Sequence, residues 1–185
     1  MNTVSGLLTL QASALSEPNA IKALEDAVNR IYSMSLLYDK LYRSSDFSEL
    51  SVKDYISSLV DEVLCNLPDG KSVIVEKVIQ DFNLDAKRMQ SVGIIINELL
   101  TNIMKYAFKG RDAGMVTVSA IKTNRHVTLF VQDNGIGMPE SISFENTTGF
   151  GLQLAYALSQ QLNGVIQIMR ENGTKVILEF DVDDH

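Results

Sequence analysis

The chain has 185 residues, a formal net charge of −7 and 45% hydrophobic residues, so it suits one medium domain or a small domain with an appendage and excludes a disordered chain. Its acidic balance, with a pI of 4.8, argues against a nucleic-acid or anionic-membrane surface, both of which want clustered Lys and Arg. One cysteine (Cys65) and two histidines (His126 and His185) exclude a disulfide framework and leave little for a zinc or His-rich metal centre, while the absence of a leader-like start and of an apolar run near the ~20 residues of a bilayer span gives the expectation of a cytoplasmic piece without membrane contact.

In chain order, the first elements read as two helices. Leu7, Leu8, Leu10, Ala14 and Leu15 cluster in the first, and Ser16 and Pro18 give a stop and a fresh start. In the second, Ile21, Leu24, Val28, Ile31 and Tyr38 recur at helical spacing, flanked by a heptad row of Ala20, Ala27, Met34 and Leu41. Two helices on a short loop cannot bury so wide a stripe between themselves. A second copy completing a four-helix bundle is the expectation, and packing on the rest of this chain is the alternative. The polar stretch from Arg43 to Ser48 reads as a linker, dividing a helical hairpin over residues 1–45 from a second domain over 46–185.

Ser51 with Asp54 reads as a capping box variant opening a helix that carries Tyr55, Ile56, Leu59, Val60, Val63 and Leu64, and Pro68-Asp69-Gly70 ends that unit as a turn. Ser72 to Ile79 is β-branched and strand-like, and Asp85 is placed to cap a long helix running to about Ala107. Met115–Thr123 and His126–Val131 read as a hairpin around Asn124. A helix over Gly151–Asn163 stops at Gly164, and two last strands flank the turn Asn172-Gly173. Helices with antiparallel hairpins predict an α+β sandwich with helices on one sheet face.

Three segments carry candidate chemistry. On the long helix, Glu98, Asn102 and Lys105 stand four and three apart, opposite the stripe of Val92, Ile96, Leu99, Ile103 and Ala107. Ile94 and Ile95 border this polar row and suggest partial burial, where Mg²⁺ and phosphates would supply partners; a solvated helix face is the plain alternative. In Asp133-Asn134-Gly135-Ile136-Gly137-Met138-Pro139, a strand runs into two glycines that permit close approach to a ligand, with Asp133 placed to accept a hydrogen bond from an amine; a simple Asn-Gly turn is the alternative. In Gly149-Phe150-Gly151-Leu152, glycines lead into a helix N-terminus suited to anions, or form a hinge. No P-loop, dinucleotide fingerprint or protein-kinase signature is present.

The order Asn-Glu-x-x-x-Asn, Asp-x-Gly-x-Gly, Gly-x-Gly-Leu resembles the GHKL ATPase superfamily, which includes histidine kinases, Hsp90, MutL and type II topoisomerases; the likeness covers roughly residues 48–182. Leu7-Leu8-Thr9-Leu10-Gln11, Asn29 to Met34 and Leu41-Tyr42 are similar to sensor histidine kinases, of the subgroup with His-Arg-x-Lys-Asn-Asn on the first dimerisation helix. The resemblance implies a GHKL-type α/β sandwich with a mixed sheet after a dimeric helical hairpin, binding ATP and Mg²⁺. It implies Glu98 as the general base that helps activate the attacking histidine, Asn102 as the Mg²⁺ ligand and Lys105 as a phosphate contact. Asp133 would read the adenine amino group, Gly135 and Gly137 would shape the adenine pocket, Gly149, Gly151 and Leu152 would stand beside the phosphates, and Thr174 would support the adenine. Tyr106 takes a nucleotide-side position where many relatives have histidine, and residues Pro139–Thr148 form a short lid. The implied partners are a second copy through the N-terminal helices and a response-regulator receiver domain. The acceptor histidine and any sensor domain are expected upstream of Met1, so that this piece would bind Mg-ATP without phosphorylating itself at the usual site. A serine kinase of the anti-sigma-factor type, or a non-catalytic dimeric scaffold or phosphotransferase, are the alternatives.

Overall fold

Residues 2–18, 20–28, 31, 35, 49–65, 72–147 and 149–183 are described in this computed structural model. The linker reading at 43–48, the turn at Pro68-Asp69-Gly70, Tyr38 of the helical row, the heptad positions Met34 and Leu41, and His185 lie outside them. Contacts divide the chain into two units, residues 1–47 and 48–185.

In the first unit, α1 (Asn2–Ala14) carries hydroxyls that bond back along the helix, Thr9 to the Ser5 carbonyl at 2.9 Å and Ser13 to the Leu10 carbonyl at 2.8 Å. The chain then breaks at Leu15–Glu17. Pro18 takes the first helical position of α2 (described over residues 20–28), and the Glu17 carboxylate accepts from the Ala20 N–H at 2.6 Å, a cap and a preset φ together. Val4, Leu7, Leu10 and Leu15 remain exposed.

The second unit starts with β1 (Glu49–Ser51), which pairs antiparallel with β3 (Asn83–Asp85). Ser51 ends β1 and caps α3 (Val52–Cys65), accepting from the Asp54 N–H at 3.1 Å. Tyr55, Ile56, Leu59 and Val60 form the buried face of α3 at the expected spacing. Asp85 caps α4 (Ala86–Asn102) through the Arg88 N–H at 2.9 Å, and the Arg88 guanidinium returns to the same carboxylate at 2.7 Å. The expected single helix to Ala107 is corrected: α-helical bonding ends at Asn102, and Ile103–Ala107 form a π-helical turn.

A five-stranded sheet follows the order β2-β4-β5-β7-β6, built from β2 (Ser72–Ile79), β4 (Ala113–Thr123), β5 (His126–Asp133), β6 (Val165–Met169) and β7 (Thr174–Asp181). The β2–β4 pair is parallel and the others are antiparallel, so the sheet is mixed. Asn124, at φ 55°, makes the β4–β5 turn, and Asn172 and Gly173, at φ 54° and 115°, make the β6–β7 turn. Helix α5 (Phe150–Gln161) lies beside α4, which lies beside α3. These helices meet β6, β5 and β2 respectively, giving the α+β sandwich. Its core pairs rows across the ladder: Val118, Val131 and Val176 in one, Ala120, Leu129 and Leu178 in the next, all buried.

At the far end of this ladder His126 pairs with Asp181, its Nδ1 2.8 Å from the Asp181 carboxylate and its Nε2 3.6 Å from that of Glu179. The Asp181 hydrogen bond first, and Glu179 after it, hold the imidazole pKa above its ordinary value. A raised histidine pKa contributes stability that is full below the unfolded value of about 6.5 and lost as pH rises through the folded one. Thermal melts of wild type and His126→Gln should therefore show a gap in Tm at about pH 5.5 that closes by about pH 8.5. A gap independent of pH would show that this cluster does not titrate with folding.

Candidate functional site

The alternation that buries Val127, Leu129 and Val131 on β5 continues for one more step, to Asp133. Its carboxylate is therefore placed in the helix-covered layer, with 2% of the residue exposed. The Gly135 N–H donates to Asp133 Oδ1 at 2.7 Å, and Thr174, its partner across the β5–β7 ladder, adds hydrogen bonds. Burial nonetheless raises the carboxyl above the usual carboxylate range.

Asp133 lines a cavity of ≈ 490 Å³, a size typical of small-molecule sites. The end of α4 and the π turn form one wall, with Leu99, Asn102, Ile103, Tyr106 and Ala107. The loop after β5 forms the floor, including Ile136, Gly137 and Met138, and Thr174 and Val176 close it from β7. The remaining side is Ile142, Asn146, Thr147 and the α5 start at Gly149, Gly151 and Leu152. Of the residues expected at the site, Asn102, Tyr106, Asp133, Gly137, Gly149, Gly151, Leu152 and Thr174 thus share one cavity. Glu98, Lys105 and Gly135 do not line it.

The three have different placements. Glu98 is buried directly behind Gly151: a Cβ added there would stand 2.3 Å from Glu98 Oε2 and 3.9 Å from Asn102 Nδ2. Gly135 supports the floor, where the Ile136 N–H donates to the Ala107 carbonyl at 2.9 Å. Gly137 supplies the turn itself, at φ 80°. Lys105 is half-buried and lies outside the cavity lining. Lys109 was not singled out by the sequence, yet it lines the cavity, its ammonium 5.0 Å from the Tyr106 ring centroid. The apolar residues Ile103, Ile136, Met138 and Ile142 are likewise part of the site; Ile136 and Met138, set among the glycines, were the legible signal for them.

The segment from Pro139 to Thr147 is anchored along its length; Thr148 lies outside the described residues. Arg170 donates to the Ile142 carbonyl, Phe144 stacks on Tyr156 at 6.3 Å, and Gln153 Nε2 donates to the Thr147 carbonyl at 2.7 Å. Gly149 caps α5 with no side-chain bond to the helix N–H groups, which leaves the positive end of the helix at the cavity.

Residues 89–184 match the family described as histidine kinase-, DNA gyrase B-, and HSP90-like ATPase, and the chain belongs to that family. Residues 1–67 match a second family, described as histidine kinase. Sensor histidine kinase PdtaS of Mycobacterium tuberculosis is 32% identical over 190 residues, covering 98% of this chain and 37% of that protein. The chain thus spans little more than a third of that relative. Among solved structures, the histidine kinase domain from the Erythrobacter litoralis EL346 blue-light activated histidine kinase superposes with a TM-score of 0.77 at 17% identity, covering 97% of this chain and 94% of that one. Acinetobacter baumannii histidine kinase AdeS superposes with a TM-score of 0.62 at 18% identity, over 98% and 95%. These two likenesses concern the fold.

A methyl group on Gly135 would lie 2.3 Å from the Ala107 carbonyl oxygen, which is backbone and cannot rotate away. Gly135→Ala should lower stability by about 2 kcal/mol, in the range of overpacked cores, as read by urea denaturation. A loss below about 0.5 kcal/mol would show that the β5 loop and the π turn are not rigidly joined.

Proposed function

We propose that the chain is the ATP-binding and dimerisation region of a sensor histidine kinase. The kinase transfers the ATP γ-phosphoryl group to a histidine and from there to a response-regulator aspartate. One observation carries the reading: a single cavity holds a buried carboxylate at one end and Asn102 with a glycine-opened helix N-terminus at the other. That is the complement of a purine amine joined to a polyphosphate.

Asp133 accepts the adenine amino group, with its orientation held by Gly135 and Thr174. The apolar walls at Ile103, Ile136 and Ile142 enclose the ring, and the N–H groups at the start of α5 face the phosphates. Asn102 is a hard oxygen ligand at the cavity wall, and no cluster of three or more His, Cys, Asp or Glu suited to a metal exists among the described residues. This donor set fits Mg²⁺, which commonly takes few protein ligands and completes its shell with phosphate oxygens and water. When bound, Mg²⁺ supplies charge neutralisation along the phosphates. Glu98, one helical turn before Asn102 and separated from the α5 start only by Gly151, takes the proton of the attacking imidazole. The γ-phosphorus–oxygen bond to ADP breaks as the phosphorus–nitrogen bond forms. This step needs positioning and charge compensation from the protein and no covalent intermediate on it.

The match of residues 1–67 supports a histidine rather than a serine acceptor. His126 is a poor candidate acceptor, tied to Asp181 at the sheet end.

Calorimetric titration with ADP and Mg²⁺ tests the reading. Wild type should bind saturably, and Asp133→Asn should weaken binding more than about tenfold, since an acceptor is exchanged for a donor facing an amine. Unchanged ADP affinity in Asp133→Asn would remove the pocket assignment.

The exposed apolar residues Val4, Leu7, Leu10 and Leu15 support a homodimer through the first unit. Light scattering of the full chain should give twice the chain mass. Leu7→Glu with Leu10→Glu should give the monomer mass while ADP binding persists. A doubly substituted chain that stays dimeric would place the interface elsewhere.

A further inference from the structure

We propose that Arg111 is a positioning residue for recognition of the base, setting the direction of the Asp133 carboxylate through a single peptide plane; this rests on the cavity being an ATP site in which Asp133 accepts the adenine amine. Arg111 stands in the loop between the π turn and β4. Its backbone N–H donates to the Phe108 carbonyl at 3.2 Å, and Phe108 is buried, so the root of the side chain is fixed. From there the guanidinium donates to the Asn134 carbonyl at 2.7 Å.

That carbonyl belongs to the same peptide unit as the Gly135 N–H, which donates to Asp133 Oδ1 at 2.7 Å. A trans peptide unit is planar, so its C=O and N–H point in opposite directions and turn together. Holding the carbonyl from outside therefore holds the N–H on the carboxylate inside. Arg111 does not line the cavity, so it acts on the base through Gly135 and Asp133 and not by contact.

Both neighbours of this unit are pinned. The Asn134 N–H donates to the Met115 carbonyl at 3.2 Å, and Asn134 Oδ1 accepts from the Met115 N–H at 2.8 Å. On the other side the Ile136 N–H donates to the Ala107 carbonyl at 2.9 Å. Rotation of the unit between them is the freedom that is left, and Gly135 has no Cβ to restrict it. A flipped unit would turn a carbonyl oxygen toward the Asp133 carboxylate and withdraw a donor from a buried acid. The Arg111 and Asp133 bonds oppose that flip from its two sides. They also reinforce each other, since a cation on the C=O polarises the unit and strengthens its N–H as a donor. Burial pushes the Asp133 carboxyl up, and the Arg111 charge, after the hydrogen bonds from Gly135 and Thr174, works against it.

Calorimetric titrations of the full chain with Mg²⁺ and either ADP or purine riboside diphosphate, the analogue without the adenine amino group, test this. Wild type should favour ADP by at least about tenfold. Arg111→Gln should lose about fivefold for ADP and less than about twofold for the analogue, so that discrimination narrows. Arg111→Lys should stay within about twofold of wild type for ADP, because an ammonium also donates to a carbonyl. Arg125 makes a bond of the same kind at the far end of the sheet, its Nε 3.4 Å from the Val182 carbonyl, and Arg125→Gln should match wild type for both ligands. An unchanged ADP affinity in Arg111→Gln would overturn the proposal, as would equal losses for the two ligands, which mark a general loosening of the fold. A wild type that binds both ligands equally would show that Asp133 does not read the amine and would end the proposal there. A wild type that binds neither would remove the ATP-site reading itself.

Discussion

A carboxylate at a core-facing position of β5 is the constraint from which much of the second unit follows. Asp133 shares the strand face of Val127, Leu129 and Val131, the face that the helices cover. Burying an ionised group without hydrogen bonds costs several kcal/mol, so donors have to be built around it. One is the Gly135 N–H, which requires the loop to fold back two residues on. The others belong to Thr174, and they require β7 to begin opposite Asp133. That start in turn needs the tight Asn172-Gly173 turn. Gly173 sits so near the Asp133 carbonyl that a Cβ would stand 2.0 Å from its oxygen. A β4–β5–β7 ladder ending on one acidic residue thus dictates two glycines, one threonine and a turn type.

The second support is α4, which serves the core and the site with different faces. Met89, Val92, Ile95, Ile96, Leu99 and Leu100 are buried along it. At ~1.5–3 kcal/mol for each large apolar side chain, their burial outweighs the cost of enclosing the polar Asn97 and Glu98 on the same helix. The helix is held in place by its apolar residues, and this fixes where Glu98 and Asn102 stand. Gly151 completes the arrangement by letting α5 approach the Glu98 carboxylate.

Much of this was legible in the sequence because it depends on local rules. Ser51 and Asp85 as caps, Asn172-Gly173 as a turn, and the alternation of Val176, Leu178 and Phe180 all follow from nearest-neighbour chemistry. The parallel β2–β4 pairing, the small β1–β3 sheet and the π turn were not legible, since each is decided by contacts distant in the chain. At the π turn the Ala107 carbonyl is taken by the Ile136 N–H, a residue beyond two strands. The consequence for the site is direct. A stripe of Glu98, Asn102 and Lys105 is a correct extrapolation of an α-helix, and it holds as far as Asn102, the last α-helical residue. Past that point Lys105 leaves the cavity and Tyr106 and Lys109 line it.

The two ends of the cavity are held by different kinds of interaction, and this bears on how the proposed nucleotide site is regulated. The Asp133 end is fixed by ladder hydrogen bonds on both sides of β5 and by a backbone contact to the π turn. The opposite side, from Ile142 to Thr147, is attached through single side-chain contacts to α5 and to the residue after β6. Central strands open only near the cost of global unfolding, whereas segments held by a few surface contacts open far more cheaply. On the ATP reading, recognition of the base is therefore a fixed property of the sheet. The grip on the phosphates is adjustable, because any displacement of α5 moves Gly151, Gln153 and Tyr156 together, and with them the segment they anchor.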